Sequence, residues 1–267
     1  MRVFLGCATA LALAFSLSAG PHAQGGAPAA PQGGPGGGAA RGGGGRQASG
    51  GPDAARVIPG GGVFVSGWTG KVDTAEVTAT QQVLNNSKLS MEGNAMHVET
   101  GPATTYWNPA NRATGNYTVK ATFTEPKYMN ANSHAHPYGI MIAGNDLGTN
   151  QQSYVYCSAY GNGNFIVRVF GPSDNPAQDT VVNMNGRGGA NDAVHKAAGP
   201  GQPVTQEIAM SVKADSVTCT INGTEVASYP KSDLVQAGRL KSTDGVYGIR
   251  FSHNTDATVT GLTMTKQ

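Results

Sequence analysis

From residue 63 onward the chain alternates apolar and polar side chains with a period of two, in short runs broken by Gly, Asn, Asp and Pro. That rhythm leaves room for little except β-structure. In GNYTVKATFTE, Tyr117, Val119, Ala121 and Phe123 fall on one face, while Thr118, Lys120, Thr122 and Thr124 fall on the other. Such a run suits a strand with one side in a core and one in water. The alternation recurs over residues 154–160, 165–170, 208–212, 217–221 and 247–251. Gly161-Asn162-Gly163 separates two of these runs and Asn222-Gly223 ends another, and both supply the positive φ of tight hairpin turns. Hairpins imply antiparallel neighbours. No apolar stripe at helical spacing appears, so residues 192–198 and 232–238 are expected to form a turn or two at most. The pattern predicts an all-β fold, an antiparallel two-sheet jelly-roll sandwich of about a dozen strands over residues 62–267. One long interruption, residues 171–203, contains Pro172, Pro176 and Pro200, and a short strand over 180–184 is expected to divide it.

Upstream, the composition changes twice. Arg2 and the apolar stretch 3–19 read as a signal peptide, residues 1–23, with cleavage after Ala23 and a secreted or periplasmic product. The stretch is shorter than the roughly 20 apolar residues of a spanning helix, so no integral membrane segment is expected after cleavage. Leu5-Gly6-Cys7 resembles the end of a lipoprotein signal, but few apolar residues precede it. Residues 24–61 collapse to Gly, Pro, Ala, Gln and Arg and offer almost nothing to bury. They read as a disordered tether whose ends sit roughly 35 Å apart.

The formal charge of +2 overstates the basicity of the folded part. Arg2, Arg41, Arg46, Arg56 and Asp53 all lie upstream of residue 62, which leaves 14 of the 18 basic and 15 of the 16 acidic residues. A near-neutral domain excludes nucleic acid as the expected partner, because phosphates call for a basic face. Beyond the leader two cysteines remain, Cys157 and Cys219, each on the inward face of its run. An exported protein permits them to pair, and two separate buried thiols fit the same pattern.

An ordered series of segments carries a resemblance: Gly67-Trp68, LSMEGNAMHVETG, GNYTV, YGIMIAGNDL, YVYCSAYGNGNFIVRVF, DSVTCTINGTEVASY and DGVYGIRFSHNTDATVTGLTM. The series resembles the concanavalin A-like lectin and glucanase superfamily, and within it the secreted bacterial domains related to the 3-keto-disaccharide hydrolases. It spans nearly the whole domain. The resemblance implies a jelly-roll sandwich with one concave sheet on which carbohydrate is bound or cleaved.

Catalytic motifs are sparse. The E-x-D-x-x-E strand of the superfamily's glucanases does not occur, and Glu92, Glu99, Glu125, Glu207 and Glu225 stand singly, whereas glycoside hydrolysis needs two facing carboxyl groups. No G-x-S-x-G elbow is present. His134-Ala135-His136 would point two imidazoles the same way on a strand, as some metal sites require, although Pro137 and the Asn/Ser-rich surroundings suit a polar loop equally well. His97, His195 or His253 could complete such a site only through the fold. Asp146 with Asn145 and Asn150, and Asp256 with Asn254, offer oxygen donors to calcium but are equally ordinary turn formers. No other cofactor is expected.

For carbohydrate, the candidates are Tyr154, Tyr156 and Tyr160, which share one face of a run, with Arg168, Arg250 and His253. Tyrosine rings can stack on pyranose faces while Arg and His orient hydroxyls, and the same residues suit equally well ordinary cross-strand tyrosine pairs with the arginines as their stacking partners. The expected function is a secreted carbohydrate-associated module that binds a glycan on its concave sheet. The alternatives are a glycoside hydrolase or lyase acting on a 3-keto disaccharide, and a structural or adhesive domain.

Overall fold

The computed structural model describes residues 56–130, 134–186 and 188–267. The expected signal peptide and most of the expected tether lie outside the described residues. Within them, sixteen strands form two sheets. The first sheet runs β1 (Gly62–Val63), β3 (Ser87–Glu92), β4 (Ala95–Thr100), β16 (Asp256–Lys266), β6 (Tyr117–Glu125), β12 (Val204–Val212), β13 (Ser216–Ile221) and β14 (Thr224–Pro230). The second runs β10 (Thr180–Asn183), β9 (Asn164–Gly171), β8 (Ser153–Ala159), β7 (Tyr138–Asn145), β15 (Gly245–Phe251), β5 (Thr104–Ala113) and β2 (Thr69–Val72), with β11 (Gly189–Ala190) also on β9. All pairings are antiparallel except that of β1 with β3.

The core lies between the sheets and follows from the alternation. Tyr117, Val119, Ala121 and Phe123 of β6 are buried against Val155, Cys157 and Ala159 of β8, and against the inward residues of β12 and β13. Burying each large apolar side chain contributes about 1.5–3 kcal/mol. Phe123 and Tyr138 stack with ring centroids 5.7 Å apart, which joins the two layers at one end. Cys157 of β8 and Cys219 of β13 form a disulfide across the core, their Cα atoms 6.3 Å apart. At the β13–β14 hairpin Asn222 and Gly223 both take positive φ, 50° and 83°, as a tight turn between right-twisted strands requires.

Two features depart from expectation. The packed structure begins by Arg56, ahead of residue 62: its backbone N–H donates to Asn254 Oδ1 at 2.7 Å, its guanidinium donates to the Thr100 and Thr255 carbonyls, and Ile58 is buried. Residues 192–198 form only a turn, as expected, with the Val194 N–H donating to the Asn191 carbonyl at 3.0 Å, and Val194 plugs into the core. A helix does form at α1 (Thr74–Thr80), where no stripe announces one. Seven residues are too few to hold a helix by propensity. The anchor is tertiary, because Asp179 of the long 171–203 segment accepts from the Thr74 N–H at 2.6 Å and from the Thr74 hydroxyl at 2.8 Å. The N-cap residue Asp73 caps nothing with its own side chain. Its carboxylate is engaged elsewhere.

Glu125, at the inward end of β6, makes the stability pH-dependent. Its Oε1 accepts from the Met129 N–H at 2.7 Å, while Oε2 is buried with no hydrogen-bond partner among the described residues. Burial pushes its carboxyl up to about 7. An acid whose folded pKa is raised keeps its proton in the native state while the unfolded chain loses it, so stability falls as pH rises from about 4.5 to about 7. Glu125→Gln is expected to remove that fall and to stabilise the protein at pH 8 by up to about 3 kcal/mol, with little change near pH 4. Urea denaturation at pH 4, 6 and 8 checks it; parallel pH profiles for the two proteins would contradict it.

Candidate functional site

The outer face of the second sheet, turned away from the core, carries its own apolar layer of Trp107, Met141, Tyr154, Tyr156, Ile166, Phe170 and Val246. Alternation along β8 puts Tyr154, Tyr156 and Ser158 on this face, because Val155, Cys157 and Ala159 point inward. Register then chooses their neighbours. Tyr156 lies opposite Arg168 of β9 and Met141 of β7. One row further, Thr105, Arg250, Gly139 and Ser158 sit side by side on β5, β15, β7 and β8. Gly139 contributes no side chain, and a Cβ there would meet the Cys157 carbonyl oxygen at 1.9 Å. The row therefore keeps a gap between Arg250 and Ser158.

Arg250 is 5% exposed and has four neighbours that hold it. Its two terminal nitrogens donate to Asp73 Oδ1 at 2.7 Å and Oδ2 at 2.5 Å, and one of them also donates to Thr105 Oγ1 at 3.2 Å. The guanidinium carbon lies 5.5 Å from the Tyr156 ring centroid and 5.6 Å from that of Phe170. Burial pushes the Asp73 carboxyl above the ordinary range while Arg250 pulls it back. Burial also works against the guanidinium charge, but Asp73 beside it outweighs that and holds Arg250 above its usual value. The two groups meet fork to fork, the geometry of the stronger charge-assisted hydrogen bonds.

Past Phe251 the pairing of β15 with β7 runs on. Phe251 lies opposite Tyr138, and the Ser252 N–H donates to the Pro137 carbonyl at 2.9 Å, which sets His253 beside His136. Their ring centroids are 4.7 Å apart, and His134 lies 4.5 Å from His136 and 5.8 Å from His253. One ring nitrogen from each falls within 4.8 Å of the other two. From α1, Glu76 brings its Oε1 to 3.1 Å from His253 Nδ1. Glu76 is 6% exposed, so this contact is sheltered from water.

Between these groups lies a pocket of about 220 Å³, lined by the three histidines, Tyr156, Ser158, Tyr160, Arg168, Arg250 and Ser252. Burial pushes the Tyr160 hydroxyl up to about 12, with Tyr156 adding and Arg168 opposing, so it remains a donor at neutral pH. Ser158 Oγ and Arg168 Nε are buried in this lining and have no hydrogen-bond partner among the described residues.

Of the residues singled out from sequence, the fold brings Tyr156, Tyr160, Arg168, Arg250 and His253 to this pocket, with His134 and His136. Tyr154 is on the same face but does not line it. At 1% exposed, it stacks on Phe170 at 4.7 Å, and its hydroxyl meets Thr105 Oγ1 at 3.1 Å. Tyr156 is 3% exposed, and Arg250 sits over its ring. Asp146 is at the far end of β7, roughly 25 Å along the strand from the histidines, and is paired with Lys241. The other calcium candidates close loops instead: Asn145 and Asn150 donate to the carbonyls of Asp244 and Ser173, and Asp256 meets His97 at 2.8 Å. Asp73, Glu76 and Ser158 were not among the candidates. Ser158 was within reach of the alternation, two residues beyond Tyr156; the two acids sit on the unannounced α1 and at its cap.

No family model matches the chain, and no curated protein matches it. Among solved structures, it is similar to a carbohydrate-binding module from Bacillus subtilis, at 7% identity and TM-score 0.46 over 78% of this chain and 99% of that one. A Bacillus subtilis protein of unknown function with a galectin-like fold is similar at 10% identity and TM-score 0.49, over 74% and 89%. An endo-β-1,3-glucanase from Pyrococcus furiosus is similar at 11% identity and TM-score 0.45, over 72% and 85%. Likeness at this level leaves the chemistry of the pocket to its own residues.

Proposed function

We propose that the chain is an extracytoplasmic carbohydrate-binding module whose pocket on the outer face of the second sheet takes a single sugar unit or the end of a glycan. The observation that carries this reading is the pair of buried polar atoms in the lining, Ser158 Oγ and Arg168 Nε, which lack partners among the described residues. Buried donors and acceptors are costly when unpaired, so such a lining suits a ligand rich in hydroxyls. Tyr160 adds a hydroxyl donor. A volume of about 220 Å³ is small among ligand sites, which favours one ring over a long chain. Because Arg250 covers Tyr156, the mode is hydrogen bonding in a pocket rather than stacking along a row of tyrosines. The resemblance of the motif series to the concanavalin A-like superfamily points the same way.

A glycan-array screen of the purified protein, followed by calorimetry on the best-bound oligosaccharide, tests the proposal. Ser158→Ala and Arg168→Ala are each expected to weaken binding by about 1–3 kcal/mol, roughly 5- to 150-fold. No bound glycan, or variants that bind like the parent, would contradict it.

A second reading has one observation in its favour. His253, held by Glu76 at 3.1 Å, is an imidazole oriented by a carboxylate at the pocket wall, the arrangement of a general base. On this reading the chain is a hydrolase or lyase acting on a 3-keto disaccharide. Mass spectrometry of such a substrate after incubation distinguishes the two, since cleavage that is lost in His253→Ala requires an enzyme.

A further inference from the structure

We propose that His134, His136 and His253 form a three-histidine site for a divalent transition-metal ion of the zinc class, with Glu76 as the carboxylate that holds His253 in its ligating orientation. The proposal is independent of whether the pocket takes a sugar.

The geometry arises from two separate features of the chain. His134 and His136 are spaced two residues apart just ahead of β7, and their ring centroids lie 4.5 Å apart. His253 is delivered by the continuation of the β15–β7 pairing through the Ser252 to Pro137 hydrogen bond. One nitrogen from each ring then lies within 4.8 Å of the others. Nitrogens about 2.0–2.1 Å from a tetrahedral ion sit about 3.3 Å apart, so closing the site needs only small ring movements.

Glu76 supplies the second, independent observation. Glu76 Oε1 lies 3.1 Å from His253 Nδ1, so a carboxyl group on a separate element fixes how the His253 ring is turned. Ligating histidines are held in this way, with one nitrogen donating to a carboxylate while the other binds metal. Glu76 is buried, and it comes from a helix that is itself pinned by Asp179. Imidazole nitrogens select zinc, cobalt, nickel or copper over calcium or magnesium, which prefer oxygen. Three protein ligands leave a fourth position open, the arrangement of metal sites that accept an exogenous oxygen donor. All three histidines line the pocket, so that donor would come from the pocket's occupant or from water.

Another group of potential ligands, His97, Glu99 and Asp256, does not line the pocket and provides the internal control; there His97 meets Glu92 at 2.7 Å and Asp256 at 2.8 Å. The experiment uses the purified full chain, stripped with chelator and titrated with Co²⁺, whose ligand-field absorption reports a low-coordinate nitrogen site. One equivalent is expected to bind, and Zn²⁺ is expected to displace it. His134→Ala is the safest variant for folding, because His134 is exposed, and it should abolish the band, as should His253→Ala. Glu76→Gln should weaken Co²⁺ binding by about 10- to 100-fold while keeping the spectrum. His97→Ala should leave both unchanged. Melting curves of the metal-free proteins establish that each variant is folded, and Zn²⁺ should raise the melting temperature of the parent but not of His134→Ala. Absence of the cobalt band in the parent, or a band that survives in folded His134→Ala or vanishes in His97→Ala, would overturn the proposal.

Discussion

Arg250→Ala is expected to destabilise the protein by about 3–5 kcal/mol, a large share of the 5–15 kcal/mol that holds a typical domain together. The reason is Asp73. Its carboxylate receives both nitrogens of Arg250 at 2.5 and 2.7 Å, so removing the guanidinium leaves a part-buried carboxylate, its side chain 18% exposed, with no counter-charge. Thr105 Oγ1 and the Tyr156 and Phe170 rings lose their contacts in the same step. Replacing both partners by apolar residues of similar size, Arg250→Met with Asp73→Leu, should recover most of the loss, since it is the unpaired charge that is costly. The penalty of the single variant should also shrink in acid, where Asp73 can protonate. Urea denaturation of the single and double variants checks this, and a loss below about 1 kcal/mol for Arg250→Ala would show that the pair contributes little. The same numbers mean that Arg250 and Tyr156 are poor positions for probing binding, because their replacement disturbs the sheet that carries the pocket. Ser158 and Arg168 are better ones.

Removing the disulfide, as Cys157→Ala with Cys219→Ala, is expected to cost about 4 kcal/mol, the value for closing a loop of this size in the unfolded chain. The two cysteines are 62 residues apart and belong to different sheets, so the bond also fixes one layer against the other. Two small cavities in the core would add to the loss. The unfolding free energy of the parent should fall by a similar amount in the presence of a reductant strong enough to open the bond. Identical midpoints with and without the cysteines would contradict this.

How far the sequence could be read depends on the range of the interactions involved. Period-two alternation is local, so it reports which side of a strand each residue occupies, and the inward positions of Val155, Cys157 and Ala159 follow from it. Turn residues are equally local, and Asn222-Gly223 and Gly161-Asn162-Gly163 mark two hairpins in the right places. Alternation cannot report what covers a face. Tyr154 and Tyr156 point outward from the sandwich yet are buried, because Arg250 and Phe170 lie over them. Nor does it report the pairing of β15 with β7, which alone brings His253 to His136. The α1 helix was hidden for a related reason. Its residues carry no apolar stripe, and it is held by Asp179 and by a glutamate that meets a histidine 177 residues away.

Whether the pocket is a sugar site is decided by following backbone amide chemical shifts while the best-bound oligosaccharide from the array is titrated into labelled protein. A sugar in the pocket should move the amides of Ser158, Tyr160, Arg168, Ser252 and His253 together along one saturable curve, and should leave the β13–β14 hairpin of the first sheet unmoved. Shifts confined to the first sheet, or none in the pocket residues at saturating sugar, would contradict the assignment.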